Sequence, residues 1–275
     1  MRERFKVRPE GFRLNYASPL ATGLVFAGLG AFGSQKPTIF HDSTHFRNHG
    51  TLTNMDPKED WLWVPALGRW ALDFDGSDDY VIAGATTGLR GIARNGWTIA
   101  CWAKWRSGTF ETSISLGDSG AVPDGAILVN RNGTIQAYQS DVFRDSGVAT
   151  PTTWVHLALT RVSSTLGTLY INGVAYSANP TTTSTDVMDL RMGRSAGGTT
   201  YADILATDGC AWNRVLAPSK ISALADPSNA MLSVGGVPLL LPPRRRLWPV
   251  AAGPPSFKAA WAARRPRHIM ATGVI

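Results

Sequence analysis

Helical periodicity is almost absent from this chain, and that constrains its fold more than any other feature. Apolar residues come as short runs of β-branched and aromatic residues broken by Gly, Asn, Asp and Ser. One stretch, Pro218–Asp226, reads as a short helix, with Pro early and Ile221 and Leu224 three apart. Two Asn-Gly pairs, Asn132-Gly133 and Asn172-Gly173, separate strand-like runs. Asn-Gly suits a type I′ two-residue hairpin, whose central residues both take positive φ. These pairs predict hairpins joining 126–130 to 134–138 and 168–171 to 174–176. Further strands are predicted at 24–27, 71–74, 80–83, 97–105, 154–162, 187–193 and 202–212. In Trp154–Val162 the apolar Val155, Leu157 and Leu159 face one way, and His156 and Thr160 the other. So many short strands predict an all-β fold: an antiparallel two-sheet jelly-roll sandwich.

Composition decides whether such a sandwich has a core. The 275 residues are 44% hydrophobic with ten Trp, ample for one large domain and opposed to disorder. The net charge of +7 suggests an anionic partner until it is partitioned. Residues 1–20 hold five basic and two acidic residues, and 227–275 hold seven basic and none acidic. The body, 21–226, holds 15 basic and 18 acidic residues, a balance of −3. The expected organisation is a mildly acidic jelly roll between extended basic N- and C-terminal arms, 1–20 and 227–275. Arg2, Arg4 and Arg8 mark the first arm. Arg244, Arg245, Arg246, Trp248, Trp261, Arg264 and Arg265 mark the second. Interleaved Pro and Trp point to anchoring along a partner protein rather than to nucleic acid.

The opening MRERFKVRPEGF has no apolar h-region, and no apolar run reaches the ~18 residues of a membrane span. The expectation is a protein made in a cytoplasm, with neither a signal peptide nor membrane insertion. Cys101 and Cys210 match no zinc spacing. Both sit in apolar strand-like runs, which suits buried free thiols, with a single disulfide as the alternative.

Several segments, in order, carry a resemblance. They are FHDSTHFRNHGTLTNMDP (40–57), ALDFDGSDDYVIAG (71–84), WTIACWAKW (97–105) and WVHLALTR (154–161), then LYINGVAY (169–176), LRMGRS (190–195) and DGCAWNRVLAPSKISAL (208–224). Together they resemble the laminin-G-like domains of the concanavalin A-like lectin/glucanase superfamily. The likeness covers about 20–226 and implies a jelly roll. More weakly, the arms resemble the flanks of laminin-G-like proteins encoded by tailed bacteriophages and prophages. That implies a non-enzymatic structural or adhesive virion protein in many copies. Its arms would anchor to capsid proteins, in decoration or head-fibre manner, or to the tail. A soluble carbohydrate-binding module is the alternative, and a glycoside hydrolase a weaker one.

The candidate sites follow. Glucanases sharing this sandwich alternate their acids along one strand, and no Glu-x-Asp-x-Glu run occurs here. No catalytic residue is therefore assigned. Asp73, Asp75, Asp78 and Asp79 fit side-chain caps of a tight loop. No cofactor is expected beyond a structural calcium ion that the resemblance implies, with Asp42 and Asp208 as candidate ligands. Thr207-Asp208 stands where relatives often carry two acids, and Asp42 could instead cap the turn before Asn48-His49-Gly50. Trp61, Trp63, Trp105, Tyr138 and Tyr201 are candidate platforms for a host-surface glycan, with Trp70 and Phe143 beside them. Gly28, Gly30 and Gly33 have dinucleotide-loop spacing, but a β-like segment follows instead of a helix. They are expected to form a flexible turn.

Overall fold

Hydrophobic alternation in these short strands is satisfied by two antiparallel eight-stranded sheets packed face to face. The computed structural model describes residues 12–30, 38–84, 88–89, 92, 96–106, 111–117, 125–129, 133–139, 142–180, 189–195, 198, 200–227, 232–234 and 237–238. One sheet runs β3 (Ile39–Phe40), β4 (Gly50–Thr53), β7 (Tyr80–Ala83), β16 (Asp189–Met192), β9 (Glu111–Gly117), β10 (Gly125–Val129), β11 (Thr134–Gln139), β12 (Val142–Ala149). The other runs β5 (Trp61–Val64), β6 (Arg69–Asp75), β17 (Asp203–Trp212), β8 (Trp97–Trp105), β13 (Val155–Arg161), β14 (Gly167–Ile171), β15 (Val174–Ser177). β17 is long enough to pair twice on one side. Residues 203–206 meet β6, and 209–212 meet β2 (Leu24–Gly28).

Alternation places Ile114, Leu116, Leu190, Met192 and Val81 of the first sheet against Phe74, Ile99, Cys101, Trp105, Leu157 and Ile204 of the second. This is the sandwich core, and the burial of each large side chain contributes about 1.5–3 kcal/mol. The predicted alternation of Val155, Leu157 and Leu159 into it holds.

The outer face of the second sheet is also covered. The chain up to the first residue of β2 and helix α1 (Pro218–Leu224) lay Leu14, Leu20, Leu24, Ile221 and Leu224 over Ala100, Ala158, Tyr170, Cys210 and Trp212. The Trp212 indole N–H donates to the Leu20 carbonyl at 2.7 Å. Leu14 and Leu20 thus pack in the body, although the charge pattern groups them with the N-terminal arm. The inner ends of both arms also pair with each other. β1 (Phe12–Leu14) hydrogen-bonds β18 (Leu232–Val234), which pairs with β19 (Val237–Pro238).

The turn chemistry is as expected at Asn172-Gly173, with φ of 50° and 81°. At the other Asn-Gly pair Gly133 has φ 73°, while Asn132 lies outside the described residues. The glycine motif departs from expectation. Gly28 ends β2, and a Cβ on Gly30 would lie 1.9 Å from the Trp70 carbonyl oxygen. These glycines permit close packing rather than a flexible turn, and Gly33 lies outside the described residues. No helix among the described residues is long and apolar enough to cross a membrane.

The cysteines resolve by register. Cys210 pairs with Ala100, so Cys101, one residue on, points to the opposite face of the sheet. Cys101 is in the sandwich core and Cys210 in the outer cluster, and both are buried and free.

Candidate functional site

The outer face of the first sheet is where polar side chains collect. Register lines up Thr51, Ile82, Arg191, Ser115, Ala126, Tyr138 and Phe143 across seven strands. Ile82, Arg191, Ser115, Ala126 and Tyr138 each alternate along their strands with residues of the sandwich core. From β16 to β12 this row spans about 19 Å at normal strand spacing. Its middle is buried: Arg191 holds Asp189 at 3.3 Å, and Ser115 Oγ donates to the Arg194 carbonyl at 3.1 Å. One end carries Phe143, 46% exposed, its ring centroid 4.6 Å from that of Tyr138.

The other end is built around Arg194. Gly193, at φ 79°, turns the chain out of β16, with Phe74 filling the space where a Cβ would project. Arg194 then bridges to Tyr201. Its guanidinium carbon lies 5.1 Å from the Tyr80 ring centroid and 5.0 Å from that of Tyr201. The two rings are 6.2 Å apart, and all three side chains are half-buried. This is a cation held on two aromatic faces at the edge of a polar sheet surface.

The aromatic candidates therefore separate. Tyr138 and Tyr201 come to this one sheet face. Trp61 and Trp105 do not serve as platforms: they are 4% and 3% exposed and belong to the sandwich core, Trp61 with its ring 6.1 Å from that of Phe40. Tyr138 is itself only 7% exposed and its ring lies tilted at 58° to that of Phe143, so of that pair Phe143 is the accessible member. Trp63 is 42% exposed on edge strand β5 of the other sheet, packed against Trp70 at 5.7 Å. Tyr80 and Arg194 lie in segments that carry the resemblance, 71–84 and 190–195, but nothing local marks them as a site, because the site exists only where β7, β16 and the segment before β17 converge.

The Asp42–Asp208 pair does not fit a calcium ion. The Asp42 carboxylate accepts backbone N–H groups of Ala27, Thr44 and Asn48 at 2.8–2.9 Å and the Thr44 hydroxyl at 2.7 Å. Asp208 accepts the Gly30 N–H at 2.9 Å on one oxygen and the Arg69 guanidinium on the other. Calcium needs six to eight oxygens with lone pairs to give. Here the lone pairs already meet donors, and Arg69 already supplies positive charge. Asp42 instead ties the 42–48 turn to β2, which is the capping alternative.

The second acidic group also reads as a cap. Asp75 Oδ1 accepts the N–H groups of Ser77 and Asp78, and Asp79 Oδ2 that of Asp75. Asp73 and Asp203 both pair with Arg106. Asp75, Asp78 and Asp79 bring carboxylate oxygens within 4.8 Å of one another. Burial pushes the Asp79 carboxyl up to about 6, only partly offset by the bond it accepts from the Asp75 N–H, and repulsion from Asp75, Asp60 and Asp78 adds to the rise. The anchoring candidates Arg2, Arg4, Arg8, Arg244, Arg245, Arg246, Trp248, Trp261, Arg264 and Arg265 lie outside the described residues.

A two-sheet antiparallel sandwich with one covered and one polar outer face defines a lectin-like β-sandwich protein. The family model described as concanavalin A-like lectin/glucanases superfamily, of laminin G type, matches residues 75–222, and the chain belongs to that family. Among solved structures it is similar to Trypanosoma rangeli sialidase, at 16% identity and a TM-score of 0.59, over 76% of this chain and 33% of that one. It is also similar to the binding domain of Paraclostridial Mosquitocidal Protein 1, at 14% identity and TM-score 0.56, over 75% of this chain and 52% of that one. A third is the receptor binding domain of botulinum neurotoxin C/D mosaic serotype, at 12% identity and TM-score 0.54, over 74% and 51%. The chain thus spans about a third of the sialidase and half of each toxin domain, and the likeness is one of fold. No curated protein sequence matches it.

Proposed function

We propose that this is a non-catalytic adhesive protein of a tailed-phage particle. The jelly roll is displayed outward, and the two basic arms attach many copies to capsid or tail proteins. The observation that carries this reading is the division of charge. The body holds −3, while the arms hold ten more basic than acidic residues, set among Pro and Trp. Similarity in fold to two toxin binding domains supports adhesion by the body. The engagement of Asp189 by Arg191, and of Asp73 and Asp203 by Arg106, supports structural rather than catalytic carboxylates.

The test uses the full chain with Arg244, Arg245, Arg246, Arg264 and Arg265 changed to Gln. Particles are purified from lysates of cells making either protein and probed with antibody by electron microscopy. Wild type is expected on the particles and the variant free in the supernatant, with the same circular dichroism. Wild-type protein absent from particles, or the variant still bound, overturns the reading.

A further inference from the structure

Arg194 leaves four of its five N–H donors unused among the described residues. Arg69, Arg106 and Arg191 each meet a carboxylate. Arg194 meets none among the described residues, although Asp203 lies two residues beyond Tyr201 and pairs instead with Arg106. Its Nε donates to the Gly198 carbonyl at 2.8 Å, which fixes the plane of the guanidinium. Its two terminal nitrogens find no acceptor among the described residues. They carry four N–H donors in a rigid fork, the geometry that grips a carboxylate with two parallel bonds.

What holds the fork also tells what surrounds its ligand. Tyr80 and Tyr201 support it from two sides at 5.1 and 5.0 Å, and their hydroxyls have no hydrogen-bond partner among the described residues. Tyr80 is registered with Thr53 of β4 on the same outer face. A fixed cationic fork, aromatic ring surface and hydroxyls in one half-exposed patch match a ligand that is anionic at one point, apolar on one face and polyhydroxylated elsewhere.

We propose that Tyr80, Arg194 and Tyr201 form a binding site for a saccharide bearing a carboxylate. Arg194 takes the carboxylate, the tyrosine rings take the C–H face of the sugar, and their hydroxyls take its OH groups. The guanidinium is already immobilised by Gly198 and the two rings, so binding does not pay the rotamer entropy of an unrestrained arginine. The inference rests on reading the protein as adhesive and names the class of surface it adheres to. An acidic peptide would satisfy the fork but leave the ring faces unmatched, which favours the sugar.

The experiment presents the full chain with immobilised uronate- and sialate-terminated oligosaccharides beside the same oligosaccharides reduced at the carboxyl group. Wild type is expected to bind the acidic set at least about tenfold more tightly, as befits charge-assisted bonds, and to weaken with salt. Arg194→Gln should lose that preference, and Arg194→Lys should recover only part of it, since an ammonium is a point charge without the fork. Circular dichroism verifies that both variants are folded, and Arg194→Lys serves if Arg194→Gln is not. Equal binding of acidic and reduced sugars, an acidic preference unchanged in both variants, no binding at all, or full competition by poly-glutamate each overturns the inference. If the protein still sits on particles under the arginine-arm test, the attachment reading survives that failure.

Discussion

Arg69 pairs with Asp208 at the point where β2 takes over from β6 along β17. The ladder between β17 and β8 shifts register there, between Thr207 and Cys210, and Asp208 adopts φ 54°. Asp208 holds the Gly30 N–H on one side and Arg69 on the other, and Arg69 also donates to the carbonyls of Leu67 and Pro227. One ion pair thus ties the N-terminal segment, the β5–β6 turn and the chain after α1 to one irregularity. Both side chains are 12% exposed. Arg69→Gln should cost about 3 kcal/mol, because it strands a nearly buried carboxylate. Urea unfolding of the two proteins measures it, and a difference below about 1 kcal/mol would contradict the account.

Saturation of Asp42 by four donors makes a prediction about metal. The melting temperature should be the same in EDTA and in millimolar calcium, because a ligand stabilises only where the folded state binds it. Asp42→Ala, in contrast, should destabilise by about 2–4 kcal/mol, since three backbone N–H groups and a hydroxyl lose their acceptor together. A calcium-dependent rise in melting temperature would show that the carboxylates rearrange around an ion.

Two groups set opposing pH dependences. Burial, with Arg69 adding repulsion, lowers His156 from 6.5 to about 3. The folded state therefore refuses a proton that the unfolded chain takes. Its stability falls as pH drops below 6.5, by at most about 1.4 kcal/mol per unit. Burial raises Asp79 from 3.8 to about 6. Its contribution is fully present below 3.8 and is lost as pH rises through about 6. Asp79→Asn should thus unmask acid weakening that starts near 6.5. His156→Leu should show stability rising as pH falls from about 6 to 4. Chemical denaturation at intervals from pH 4 to 7 separates the two, and parallel profiles for both variants would refute the assignment.

The thiols should be inert in the folded protein. Burial pushes Cys101 up to about 12 and raises Cys210 well above its ordinary range, and the two face opposite sides of the sheet. A thiol reagent at neutral pH should label neither until denaturant is added, and then both. Protection of both thiols after unfolding without reductant would reveal a disulfide that the register forbids.

Trp105 and Trp63 should behave as opposites. Trp105→Ala empties part of the sandwich core and should cost about 3–5 kcal/mol. Trp63→Ala removes a side chain that is 42% exposed and should cost about 1 kcal/mol or less. Thermal unfolding of both distinguishes core from surface tryptophan.

These contrasts mark how far the residues themselves could be read. β7 and β8 fall at the predicted residues, Tyr80–Ala83 and Trp97–Trp105, because alternation and turn residues are local signals. The helix starts at the predicted Pro218. Neither β9, ETSISLG, whose apolar alternation is limited to Ile114 and Leu116, nor β12, VFRDSGVA, whose Arg, Asp and Ser obscure it, is predicted from the sequence; their pairing comes from neighbouring strands.

The sequence by itself determined an all-β sandwich of a recognisable family, the alternation into its core, one hairpin turn with both φ angles positive, and the segregation of positive charge to the chain ends. Only the tertiary structure decided which aromatics are core, that Asp42 and Asp208 are enclosed by donors, and that Arg194 rests on Tyr80 and Tyr201. The reason is physical. Periodicity and turn chemistry act between neighbours in the chain, whereas burial and the saturation of a polar group depend on which strands lie side by side. Strand order, 3-4-7-16-9 in the first sheet, is set by long-range pairing that leaves no local trace.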